Sequence, residues 1–212
     1  MKPFLDRREA GRLLGDALAE RVGDDDVVVL GIPRGGVVVA AQVAEKLGAP
    51  LDVVIPRKVG APGNPELGLG AVAPGVGVLD ERLIRDLGVS REYLAREIAA
   101  QEQEIERRSR AYRGDRPALD AAGKVVIVVD DGVATGGTAV AAARWAKKAG
   151  AARVVLAVPV APAQAVPNLA REVDEALVLS TPEPFFAVGQ WYERFDQVDD
   201  DEVVELLTRS ST

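Results

Sequence analysis

The sequence predicts an α/β fold: an open, mainly parallel sheet with helices on both faces. Three observations carry this. Continuous β-branched runs at residues 27–31 (VVVLG) and 124–129 (KVVIVV) read as strands buried on both faces. Each runs into a glycine-rich loop and then a stretch with helical spacing, and strand and helix keep alternating along the chain. At 212 residues the chain is long enough to bury a core as one domain, residues 1–212, without disulfides.

Taken in order, Asp6 is placed to cap a first helix, with Glu9 as its capping-box partner. Ala10, Leu13, Leu14, Ala17 and Leu18 share one face of it. Gly23 and the acids at 24–26 end that helix. Strand 27–31, the loop IPRGG, a helix over 37–47 closed by Gly48 and a strand over 52–56 form the first unit. Residues 57–77, RKVGAPGNPELGLGAVAPGVG, are rich enough in glycine and proline to read as a long loop with one short strand at 69–72 and room for a hairpin. Such a segment can close over a ligand while the scaffold stays fixed. A short helix at 79–87 and a charged helix opened by Ser90 form a helical insertion spanning 80–116. Tyr93, Leu94, Ile98 and Ile105 are its sparse apolar face. The interspersed glutamates predict a solvated face laced with ion pairs, in preference to Arg107, Arg108, Arg110 and Arg113 meeting phosphate or nucleic acid. Beyond Pro117 come strand 124–129, helix 137–148, strand 153–158, strand 176–179 and a final helix over 200–207.

The chain has neither cysteine nor histidine. That excludes thiol chemistry, zinc fingers, a serine–histidine triad and a histidine base, and leaves carboxylate–Mg²⁺ chemistry open. The start, MKPFLDRREAG, has no apolar signal region, and no apolar run approaches a membrane span, so a soluble cytoplasmic protein is expected. A net charge of −7 argues against a broad nucleic-acid surface. Neither glycine loop reads G-x-G-x-x-G, which disfavours a nicotinamide-dependent oxidoreductase.

The chemistry concentrates at the ends of two strands. The run VVIVVDDGVATGGT delivers Asp130 and Asp131 to a strand exit, where at least one should reach solvent, since two dry unpaired carboxylates would be costly. Adjacent acids can accept hydrogen bonds from a ribose diol or lie near Mg²⁺, directly or through water or substrate. Ala134, Thr135, Gly136, Gly137 and Thr138 then offer consecutive backbone N–H groups, two hydroxyls and a helix N-terminus, a cradle for a phosphomonoester. Diol and phosphate together suggest a ribose 5-phosphate. In IPRGG, Arg34 beside Gly35 and Gly36 suits a polyanion that the backbone must approach closely.

The pattern VVIVV-DD-GVA-TGGT resembles the signature of type I phosphoribosyltransferases. PRKVGAPGNPELGLGAV and the WYxxF ending resemble an uncharacterised subgroup with this domain, and the resemblance extends across most of the chain. It implies a type I phosphoribosyltransferase-like fold with a flexible loop, a helical insertion and a small C-terminal hood with the last helix at 181–212. It implies phosphoribosyl transfer from Mg²⁺–phosphoribosyl pyrophosphate to a small nitrogenous acceptor, a nucleobase for instance, with release of pyrophosphate. Asp130 and Asp131 would hold the ribose hydroxyls, residues 134–138 the 5-phosphate, and Arg34, Gly35 and Gly36 the pyrophosphate, in a loop that often contains a strained or cis non-proline peptide. Arg34, Arg57 and Lys58 would supply catalytic positive charge, the last two from the mobile loop. Glu66 reads as a surface acid. Phe185, Phe186 and Trp191, with Tyr192 and Phe195 nearby, would either stack on the acceptor or pack the last helix. A homodimer fits this picture, and nucleic-acid or membrane partners do not. The lysine-rich, histidine-containing catalytic loop of the orotate enzymes is absent, so the acceptor stays open. The competing reading is a non-catalytic regulator that binds phosphoribosyl pyrophosphate or a nucleotide.

Overall fold

The computed structural model describes residues 2–23 and 25–210; the helix-ending role expected of Asp24 lies outside them. Helix α1 (Arg7–Val22) starts at Asp6, whose carboxylate accepts the Glu9 N–H at 2.9 Å. Glu9 returns the contact one residue earlier than the capping-box expectation, accepting from the Leu5 N–H. Strand β1 (Val27–Gly31) matches its expected bounds, helix α2 (Gly35–Leu47) ends at a left-handed Gly48, and strand β2 (Leu51–Val53) is shorter than expected. Helices α1 and α2 lie close because Gly11 and Gly15 face α2. A Cβ on Gly11 would sit 2.7 Å from the Val39 carbonyl oxygen, and one on Gly15 2.9 Å from Lys46 Cβ.

The segment expected to be a long loop with one short strand at 69–72 and room for a hairpin is strand over most of its length, a three-stranded antiparallel sheet: β3 (Arg57–Ala61), β4 (Asn64–Ala73) and β5 (Val76–Leu79). Its glycines disguise the strands while making their pairing sterically possible. Gly70, at φ +149°, faces the Val78 carbonyl oxygen at 2.1 Å from where a Cβ would be, and the β3–β4 register slips on both sides of Gly60. Helix α3 (Glu81–Asp86) is capped by Asp80, and helix α4 (Arg91–Arg113) by Ser90. Ile105 is buried, and Tyr93, Leu94 and Ile98 pack against the same core. Glu104 pairs with Arg107 and Arg108, and Glu106 with Arg110, as a solvated face should. Arg113 departs from that expectation. It turns inward onto the buried Asp52 of β2 at 2.8 Å, while Asp52 also accepts the Val53 and Leu119 N–H groups.

Strand β6 (Val125–Val129), helix α5 (Gly137–Lys148), strand β7 (Arg153–Val160), helix α6 (Val166–Glu172), strand β8 (Glu175–Ser180) and helix α7 (Asp200–Arg209) complete the chain. The main sheet runs β2-β1-β6-β7-β8, all parallel. Its inner strands β1, β6 and β7 are buried on both faces, which explains their continuous apolar runs. Val27, Val29, Ile127, Val129, Val155 and Ala157 pack on the side of α1, α2 and α7. Val28, Leu30, Val126, Val128, Leu156 and Val158 pack on the side of α5 and α6.

Candidate active site

Strands β1 and β6 are neighbours, with Gly31 paired to Val129, so their exits lie side by side. From β1 the chain crosses to β2 on one flank; from β6 it crosses to β7 on the other. The two glycine loops therefore diverge from a point where the strand order reverses, the place where open α/β sheets form a ligand crevice.

The first loop carries a cis peptide between Pro33 and Arg34, as the family resemblance led one to expect. Arg34 stands at the head of α2, where no side chain caps the free N–H groups. Its guanidinium is partly exposed, with the Asp200 carboxylate 3.9 Å away. The second loop ends at Gly136, left-handed at φ 89°, and α5 also begins with no side-chain cap. Ala134 and Thr135 are exposed and Gly137 and Thr138 half-buried. Two helix N-termini without an N-cap side chain thus flank the crevice, each turning its positive end toward an anion.

Between them sit the acids, and the first loop's glycines make room for them. A Cβ on Gly35 would fall 2.0 Å from Asp131 Oδ2, and one on Gly36 2.8 Å from both Cα and Oδ1 of Asp130. The two motifs, about a hundred positions apart in sequence, are thus one fitted unit. Asp130 accepts the Asp131 N–H at 2.8 Å. The Asp131 side chain is 15% exposed, which satisfies the expectation of a partly reachable acid. Burial, then the neighbouring Asp131 charge, pushes the Asp130 carboxyl well above the ordinary range. Burial also raises Asp131, against the downward pull of Arg7.

Arg7 is the site residue that sequence reasoning missed. Its Nε donates to Asp131 Oδ2 at 2.7 Å and its Nη1 to the Asp196 carbonyl at 2.8 Å, while its guanidinium lies 3.7 Å from the Phe195 ring centre. Tyr192, buried, donates its hydroxyl to the Asp131 carbonyl at 2.5 Å. No local signal marks Arg7, which reads as an ordinary first-turn residue. Tyr192 and Phe195 stood in the aromatic cluster without an assigned partner.

The remaining expected site residues are engaged elsewhere. Arg57 donates to Gln101 on α4 at 3.0 Å, and Lys58 pairs with Glu66 across the β3–β4 hairpin. Phe185 and Trp191 stack at 6.3 Å, whereas Phe186 is 83% exposed. The Trp191 Nε1 is buried with no hydrogen-bond partner among the described residues. Among the described residues, no three or more acids, histidines or cysteines group as a metal site. Asp130 and Asp131 alone fit a Mg²⁺ ion whose other ligands arrive with a substrate's oxygens, the usual manner for this cation. No helix among the described residues is long and apolar enough to cross a membrane.

The chain resembles proteins along its whole length. TT1426 of Thermus thermophilus, known from a crystal structure, is 48% identical over 99% of both chains and superposes with a TM-score of 0.84. Rv0571c and MT0597, from two strains of Mycobacterium tuberculosis and provisionally named phosphoribosyl transferases, are each 46% identical over 99% of this chain. The alignment takes in 47% of each mycobacterial protein, so the chain spans about half their length. Residues 4–190 match the model of the phosphoribosyl transferase domain, and the chain belongs to that family.

Proposed function

We propose that the protein transfers a phosphoribosyl group from Mg²⁺–phosphoribosyl pyrophosphate to a small nitrogenous acceptor, releasing pyrophosphate. The observation that carries this reading is the seating of Asp130 and Asp131 against Gly36 and Gly35 between two uncapped helix N-termini. A diol acceptor lies between two anion cradles, the arrangement a ribose bearing phosphate at one end and pyrophosphate at the other requires.

In this reading Asp130 and Asp131 accept the ribose hydroxyls and fix the sugar. The N–H groups of residues 134–138 bind the 5-phosphate. Arg34, with the N–H groups of Gly35 and Gly36, stabilises charge growing on the departing pyrophosphate as the bond to C1 breaks. Mg²⁺, held by the acids directly or through water or substrate, would add positive charge on the leaving group. Arg57 and Lys58 join only if the β3–β4 hairpin releases them from Gln101 and Glu66. Phe186 is the hood residue most open to an acceptor, since Trp191 stacks on Phe185 with its N–H buried.

Calorimetric titration of phosphoribosyl pyrophosphate with Mg²⁺ tests the site. Saturable binding by the wild type should be lost in a folded Asp130→Asn/Asp131→Asn variant; no binding by folded wild type refutes the reading. Pyrophosphate release across a panel of nitrogenous acceptors then separates an enzyme from a regulator that only binds.

A further inference from the structure

We propose that Arg7 is a positioning residue of the ribose site, fixing the Asp131 carboxylate in the orientation from which it accepts a sugar hydroxyl. This rests on the reading of the acid pair as the ribose site.

The guanidinium is held from three directions that belong to separate parts of the chain. Its Nε binds Asp131 beyond β6, its Nη1 binds the Asp196 carbonyl before α7, and its face lies on the Phe195 ring. Only 11% of the side chain is exposed, so the arrangement is packed. A planar guanidinium satisfies all three at once: an edge for each oxygen and a flat face for the ring. Asp131 is correspondingly over-determined. Arg7 holds Oδ2, Gly35 leaves room beside that same contact, and Tyr192 holds its carbonyl. One carboxylate oxygen is committed to Arg7, and the carboxylate keeps acceptor capacity for a ligand.

The geometry also links the site to the C-terminal segment. Arg7, Arg34, Gly35, Asp131, Phe195 and Asp196 border a cavity of about 430 Å³ at the crevice mouth. Two guanidiniums reach that cavity with different freedom: Arg34 is 37% exposed and loosely paired, whereas Arg7 is fixed. Arg34 is free to follow a leaving anion. Arg7 serves the sugar through Asp131.

The test compares ribose 5-phosphate with inorganic phosphate by calorimetry on wild type, Arg7→Gln and Arg7→Lys. Loss of positioning should weaken ribose 5-phosphate tenfold or more in Arg7→Gln and leave inorganic phosphate unchanged, with Arg7→Lys recovering part of the loss. A folded Arg7→Gln that binds ribose 5-phosphate like wild type overturns the proposal, as does an equal loss for both ligands. A wild type that binds no ribose 5-phosphate refutes the ribose reading itself. The contact is then judged alone by ¹H–¹⁵N spectra of the arginine Nε groups. A slowly exchanging Arg7 signal that moves in Asp131→Ala supports the pairing, and its absence overturns it.

Discussion

Gly35→Ala tests the fit between the two loops. By ordinary reasoning the change should help, because Gly35 opens α2 and alanine is the better helix former by roughly 0.8–1 kcal/mol. The structure reverses the sign. The new Cβ would lie 2.0 Å from Asp131 Oδ2, 2.7 Å from Arg7 Nε and 2.8 Å from Asp131 Cγ, inside contact distance for all three. Two responses are open to the protein. The first loop can shift, an overpacking penalty of about 1–3 kcal/mol. Alternatively Asp131 can rotate away from Arg7, leaving a buried charge unpaired at about 3–5 kcal/mol. In the upper part of its range the cheaper response outweighs the helical gain, so a net loss of up to about 2 kcal/mol is expected, or up to roughly 8 °C in Tm for a chain of this size. Ribose 5-phosphate binding should fall with it. Urea unfolding of Gly35→Ala, Asp131→Ala and the double variant isolates the cause, because alanine at 131 removes two of the three crowding atoms and frees the third, Arg7 Nε, from its partner. The Gly35→Ala penalty should then shrink in the Asp131→Ala background. The same penalty in both backgrounds would refute the fitted-unit argument.

Asp130→Asn should stabilise the ligand-free protein at neutral pH and weaken ribose-phosphate binding. A folded carboxyl pushed above its unfolded value binds protons more readily when native, so its ionisation erodes stability as pH rises from the ordinary carboxylate value toward the raised one. The Tm gain should therefore appear at pH 8 and shrink toward pH 4; an equal gain at both would discount ionisation as the cause. On the far edge of the sheet, Asp52→Ala should cost about 3–5 kcal/mol by stranding the inward Arg113. Asp52→Ala combined with Arg113→Met should cost less than that single change in urea unfolding, and a larger loss in the double variant would argue against the pair.

How much of this was readable in the chain depended on whether the controlling contact was local. The strands at 27–31 and 125–129 announce themselves because burial on both faces leaves no room for polar residues. Helix α5 begins and ends where its glycine loop and terminal lysines place it. The acid pair and phosphate cradle were legible for the same reason: adjacent carboxylates and a small-residue turn form a compact pattern. The β3–β4–β5 sheet was not, since glycines at 60, 68, 70 and 77 interrupt the alternation that marks a strand. At 60 and 70 the backbone's close approach to other backbone, a tertiary matter, selects glycine. Arg113 was misread by its neighbours' company: it continues a solvated charge pattern, and only the position of β2 shows that it turns inward. Arg7 was invisible because its partner lies 124 residues away.

The same reasoning explains why the acids and the glycines belong together. Two acids packed at the end of one buried strand meet one fixed guanidinium, which is paired with Asp131 and leaves Asp130 beside a second acid. A fold selected for stability alone would replace one acid with a neutral side chain and cap the two helices. This chain retains both acids, leaves both helix N-termini uncapped and keeps Arg34 loosely held. These features share one crevice, and each is a local cost that a ligand with a diol between two anionic groups would relieve. Stability given up at several adjacent positions, all correctable by one ligand chemistry, argues more strongly for a ribose-phosphate site than any one of the motifs alone.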